Sequence, residues 1–194
     1  MPIMRALVLN YQNDQQAREA NSEYLFGPDF LVAPVIDENT SRAVYLPQGS
    51  WIDYWTGKPL AGGQVVLADA PLGVLPLYAR AGAIVPRIPE DVMTLVPAKE
   101  SGNTTIHSLD DRRMYELMPG ADGAAITDFE GRKVTRSAGS LTIEGSPAKV
   151  TVRWRFGQAN HVRVNGQDVS VSWDADSPST SFDHTGTTTV TWEH

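Results

Sequence analysis

A chain of 194 residues with 41% apolar content can hold one large domain or two of about 100 residues each, with a real core. Its net charge of −7 argues against a nucleic-acid partner, because that affinity comes mostly from Lys and Arg neutralising phosphates. With no cysteine it has no disulfide, thiolate metal site or thiol nucleophile, so packing must supply its stability.

The chain opens on MPIMRALVLNY, where Ile3, Ala6, Leu7, Val8 and Leu9 read as a strand of the parallel kind buried on both faces. The run is too short for a signal peptide and lacks a small-residue cleavage site, and no apolar run nears the roughly 20 residues that span a bilayer. No membrane partner is expected, and the compartment is left open. Gln15 to Ala20 favour a short helix, stopped by Gly27-Pro28 after Tyr24, Leu25 and Phe26. FLVAPVI from Phe30 reads as a strand, with Pro34 implying an edge or a bulge, and AVYLP follows as another.

Trp51 to Trp55 alternates so that Trp51 and Trp55 share one face. QVVLADAP and the two halves of LPLYARAGAIVP, broken at Ala81-Gly82, complete a small antiparallel sandwich ending near Pro89. Beyond it, TLVPAKESGNTTIHSL, RRMYELMP, AAITDFEG, LTIEG, AKVTVRWRF, NHVRVNG, VSVSW and TTTVTWEH alternate apolar and polar between turn residues, predicting a second sandwich of roughly eight strands. Asn165-Gly166 is the strongest hairpin signal.

Several spaced motifs then carry a resemblance. PIMRAL, EYLFGPDFLVAPV, VYLPQGSWIDYWTG and LPLYARAGAIVP, in that order, resemble the end of the catalytic barrel and the start of the C-terminal β-domains in glycoside hydrolase family 31, the retaining α-glucosidases and α-xylosidases. The likeness is good over residues 2 to 90 and looser afterwards, where DFEGRKVT stands in place of the family's more acidic turn and HVRVNGQDV resembles its Val-x-Val-Asn-Gly hairpin. Asp128 and Glu130 of that turn need bind nothing. The resemblance implies an all-β chain: a remnant of the last (β/α)8 barrel strand and helix over 1–28, a proximal antiparallel sandwich over 29–90 and a distal one over 91–194.

It also implies where the chemistry lies. Retaining hydrolysis uses two carboxylates about 5 to 5.5 Å apart, and the family's nucleophile and acid/base motifs are not in this sequence. No residue here takes a catalytic role, and the chemistry is expected upstream of Met1. The implied partner is the missing catalytic barrel, in cis or as a separate chain, with this region covering its flank and fixing the rim of its active site. A barrel's site forms at the C-terminal ends of its strands, so Asn10 and Tyr11, at the end of the first strand, would face it.

Other residue patterns point to bland roles. Asp37-Glu38, Asp110-Asp111 and Asp174 with Asp176 lie among turn formers, where Asp binds local amides. The Asp174-x-Asp176 spacing lacks the later ligands of a calcium loop, and His107, His161, His184 and His194 lack metal-ligand spacing, so neither cofactor nor metal is expected. The sequons at Asn39 and Asn103 matter only in a secretory setting. The aromatics are the binding candidates: Trp51, Tyr54 and Trp55, or Trp154, Trp173 and Trp192, could stack on an oligosaccharide, while large rings in small sandwiches more often fill the core. Two other readings therefore stand beside the glycosidase one: a free-standing carbohydrate-binding sandwich, and a module that self-associates through the apolar surface of Ile3 to Phe26.

Overall fold

The computed structural model describes residues 2–89, 111–120, 123–157, 159–174 and 177–193. The residues expected to start the second sandwich at Asp91, the strand within TLVPAKESGNTTIHSL, the sequon at Asn103, and His107, Asp110, Asp176 and His194 lie outside them. Among the described residues strands are the dominant regular structure, with one short α-helix, as the alternating pattern predicts, and the chain divides into two compact units, Met1–Ala83 and Ile84–His194.

In the first unit, β1 (Met4–Ala6), β2 (Tyr24–Phe26), β3 (Phe30–Val32), β5 (Ser50–Asp53), β6 (Pro59–Ala61) and β8 (Leu77–Arg80) form one sheet in the order β1-β2-β3-β8-β5-β6. A two-stranded sheet of β4 (Ser41–Leu46) and β7 (Gln64–Asp69) packs against it. The alternation that makes these segments strands sends Leu25, Leu31, Trp51 and Tyr78 inward from one sheet to meet Val44 and Leu46 from the other. Helix α1 (Gln15–Glu19) starts at Asp14, whose side chain accepts the Ala17 amide at 3.1 Å.

The opening strand differs from its sequence reading. It spans only Met4–Ala6, runs antiparallel to β2 at the sheet edge, and gives way to a 3-10 turn at Leu7–Leu9. Arg5 and Leu7 turn inward while Met4 and Leu9 face outward, so the run is not buried on both sides. β3 stops at Val32, two residues before Pro34, and pairs on both edges, so the proline lies beyond the strand instead of making it an edge. β5 likewise ends at Asp53, whose Oδ1 accepts the amides of Trp55 and Thr56, each at 2.9 Å. That turn takes Trp55 off the strand face it was expected to share with Trp51.

The second unit is built on two long strands, β13 (Ser140–Trp154) and β17 (Ser177–Glu193), paired antiparallel with a register shift between Gly145 and Ala148. β12 (Lys133–Ser137) and β11 (Ala125–Thr127) extend the sheet on one side, β14 (Asn160–Val164) and β15 (Gln167–Asp168) on the other, and β16 (Ser172–Asp174) pairs with β17. β10 (Arg112–Leu117) runs parallel to β13 and carries β9 (Ile84–Arg87) antiparallel on its other edge, so the unit boundary falls between Ala83 and Ile84. Asn165 and Gly166, both with positive φ of 51° and 81°, turn β14 into β15 as the Asn-Gly pair predicts. Leu141, Ile143, Val150, Val152, Trp154 and Val190 fill the core.

Candidate functional site

The sequence nominates the end of the first strand, and its residues do converge there. The Leu7 carbonyl accepts the amides of both Asn10 and Tyr11 at 3.0 Å, which fixes these two residues where the 3-10 turn ends. Arg5, buried on β1, donates from Nε to Oδ1 of exposed Asn10 at 2.6 Å. Arg80, at the end of β8, reaches the Tyr11 hydroxyl with Nη2. Its guanidinium carbon lies 4.7 Å from the centroid of the Trp51 ring and 5.8 Å from that of Tyr11, so the cation is held between two aromatic rings.

Asp29 joins this group. Its carbonyl accepts the Arg80 amide at 2.8 Å, and burial raises its carboxyl above the usual carboxylate range while Arg80 and Arg5 pull it back down. A partly buried carboxyl beside two guanidiniums can bind or pass a proton, yet the group contains one carboxylate where retaining hydrolysis needs two. Asp29 and Arg80 are the residues a sequence reading misses as a group. Both stand inside the quoted motifs, but 51 residues of chain separate them and only the β3-β8 pairing brings them together.

The tryptophans divide sharply. Trp51 is 0% exposed and donates Nε1–H to the Pro47 carbonyl at 2.8 Å, so its ring is core with its polar atom satisfied. Trp55 is 50% exposed and tethered by Nε1 to the Leu75 carbonyl at 2.6 Å, with Tyr54 edge-on at 5.4 Å between centroids. In the second unit Trp154 and Trp192 are buried and meet edge to face at 5.3 Å, whereas Trp173 is 57% exposed.

The remaining sequence candidates serve structure. Asp37 accepts the backbone and side-chain amides of Asn39 at 3.0 and 2.8 Å, and Asp174 pairs with Arg153 at 2.8 Å. Asp128 and Glu130 are held in a buried ion cluster: Arg132 Nη1 lies 2.9 Å from the first and 3.0 Å from the second, and Arg113 pairs with Glu130. His184 is buried with Nδ1 2.8 Å from Thr188 Oγ1, while His161 is exposed. Among the described residues no group of three His, Cys, Asp or Glu side chains is placed to hold a metal, and no helix is long and apolar enough to cross a membrane.

Comparison with known proteins locates the first unit. Residues 1–85 match the model of the glycosyl hydrolase family 31 C-terminal domain. Alpha-glucosidase 2 of Bacillus thermoamyloliquefaciens is 40% identical over 85 residues, which is 43% of this chain and 11% of that enzyme. The α-xylosidase of Xanthomonas citri, a family 31 enzyme, superposes with a TM-score of 0.67 at 27% identity, over 98% of this chain and 22% of that one. A family 31 dextranase of Flavobacterium johnsoniae shares the fold over all of this chain and 29% of its own, with a TM-score of 0.77 at 21% identity. The chain thus spans between 11% and 29% of each of these relatives.

Proposed function

We propose that this chain, whose residues 1–85 match the model of the glycosyl hydrolase family 31 C-terminal domain, is the non-catalytic β-region of a retaining α-glycosidase, which packs on a catalytic barrel and shapes the rim of its active site. One observation carries the reading. Met4 and Phe26, paired across β1 and β2, leave 53% and 42% of their surfaces in water at the very edge of the family-matched sheet. Apolar surface at a sheet edge is where another element is expected to lie, and β1 offers that element unpaired backbone groups as well.

On this reading the Arg5, Asn10, Tyr11, Asp29 and Arg80 group has a positioning role. Asn10 and Tyr11 face the barrel's mouth, Arg80 fixes Tyr11 against the buried Trp51, and Asp29 keeps Arg5 and Arg80 oriented. Exposed Trp55 lies on the same unit and lends an aromatic surface to the rim. Glycosidic bonds are broken by the barrel's carboxylates, with no contribution from this chain to the bond-breaking step. The division of the chain into a barrel remnant over 1–28, a proximal sandwich to 90 and a distal sandwich from 91 belongs to the same proposal.

The test joins this chain in one polypeptide to a family 31 catalytic barrel and replaces Met4 and Phe26 by Asp. The paired substitution should leave the melting of the isolated chain within about 1 kcal/mol, as surface changes do, while it removes most activity of the joined enzyme. Undiminished activity would mean that this edge meets no barrel.

A further inference from the structure

We propose that the second unit carries a binding site for a neutral saccharide ring, in a surface cavity of about 480 Å³ lined by Ala159, Asn160, His161, Val171, Trp173 and Glu193. The site lies wholly within Ile84–His194. It is independent of whatever the first unit does with a barrel.

Three observations converge on this cavity. The first is the position of Trp173. Its two neighbours in kind, Trp154 and Trp192, are packed into the core, while Trp173 sits on the three-residue strand β16, all of whose side chains are exposed. Leaving half an indole in water forgoes part of the stabilisation that burying a large apolar side chain supplies, and nothing in the pairing of Trp173 with Pro178 requires it.

The second is a backbone irregularity among the other lining residues. β14 pairs with β17 at Asn160 and Glu193, then shifts register before Arg163, and His161 inside the shift has φ of +46°. A left-handed residue that is not glycine is strained and persists where its surroundings hold it, and bulges characteristically re-aim a side chain. Here the bulge falls among the residues that line the cavity with Trp173.

The third is the donor set. The Asn160 amide both donates and accepts, the His161 imidazole can do either, and the Glu193 carboxylate accepts. Ringed around an exposed indole, these groups match a pyranose: its C–H face lies on the aromatic face and its hydroxyls exchange hydrogen bonds with the amide, imidazole and carboxylate. Among the described residues no Lys or Arg lines the cavity, and Glu193 brings negative charge to it, so sugar phosphates and uronic acids are disfavoured. A volume of this size suits one or two rings.

The test uses the full chain and titrates it separately with maltotriose and isomaltotriose, following indole and backbone amide resonances and the heat of binding. A saturable shift is expected at the Trp173 indole and at Asn160, His161 and Glu193 with at least one of the two. Trp173→Ala should weaken that binding at least tenfold, and Asn160→Ala severalfold, with melting unchanged because both side chains are on the surface. Leu67→Ala, an exposed change in the first unit, should leave it intact. No saturable shift up to about 50 mM, a concentration well above a millimolar dissociation constant, would overturn the proposal. So would a shift at Asn160, His161 and Glu193 that survives Trp173→Ala or disappears with Leu67→Ala.

Discussion

Arg132 and Asp128 hold each other twice: Nη1 of the arginine lies 2.9 Å from Oδ2 of the aspartate, and Oδ1 accepts the arginine's own backbone amide at 2.8 Å. The same Oδ2 accepts the Tyr115 hydroxyl at 2.7 Å, and Arg132 Nε donates to the Ser146 carbonyl at 3.0 Å. Arg132 is fully buried beneath Gly145, where φ is +138° and an added Cβ would come within 3.0 Å of the Arg132 Cα. The register shift of β13 against β17 is thus built around one buried guanidinium.

Removing that guanidinium takes the Arg132 partner from buried Asp128 and leaves Glu130 with Arg113. Arg132→Met should destabilise the second unit by about 3–5 kcal/mol in denaturant unfolding, as loss of one member of a buried pair does. Gly145→Ala should also cost stability, because the added methyl meets backbone in a conformation few side chains adopt. Because the added methyl meets Cα, Cβ and Cγ of residue 132, which methionine retains, the double variant should be less stable than Arg132→Met alone.

The two units should answer pH with opposite signs. Burial pushes Glu23 up to about 7 from 4.5, against the pull of Arg42 and the Tyr45 amide. The folded state then binds its proton more tightly than the unfolded chain, so the first unit should lose stability as pH rises from about 4.5 to about 7. Burial lowers His184 below its ordinary 6.5, so the second unit should lose stability as pH falls through that value. Hydrogen exchange of β4 and β7 amides against β13 and β17 amides separates the two, and Glu23→Gln and His184→Gln should each flatten the slope of their own unit alone.

Asp14 does two jobs at once. It caps α1 through the Ala17 amide and accepts the Tyr45 hydroxyl at 2.5 Å, a bond that lowers its carboxyl, while Tyr45 is pushed up to about 12 chiefly by burial. Asp14→Ala should cost about 2–3 kcal/mol, the sum of a lost cap and an orphaned hydroxyl. Combined with Tyr45→Phe it should cost less than the sum of the two single changes, as read by thermal melts.

Trp51 and Trp55 offer a direct contrast. Trp51→Ala should destabilise the first unit by about 3–5 kcal/mol, since it removes a fully buried ring together with the surface against which Arg80 lies. Trp55→Ala, at a half-exposed turn, should cost about 1 kcal/mol or less.

How much of this was legible beforehand depended on the range of the interaction. Local signals worked for the Asn165-Gly166 turn, the helix-forming Gln15 to Ala20 and the strand in QVVLADAP, whereas the stop at Gly27-Pro28 did not hold: the helix ends at Glu19 and Tyr24–Phe26 forms β2. The family-like motifs worked because their order along the chain is itself information. The failures share a cause. Ile3 to Leu9 read as a doubly buried parallel strand because composition alone cannot show that the backbone turns 3-10 at Leu7, and Trp55 left its expected face because Asp53 captures two amides. The association of Asp29 with Arg80 depends on strand pairing at long sequence separation, which no local pattern encodes.

The central claim is that this region does not break glycosidic bonds by itself. Purified chain, freed of contaminating enzyme, should release no chromophore from aryl α-glucosides or aryl α-xylosides, and should support release once joined to a family 31 catalytic barrel. Turnover by the chain alone would contradict the account.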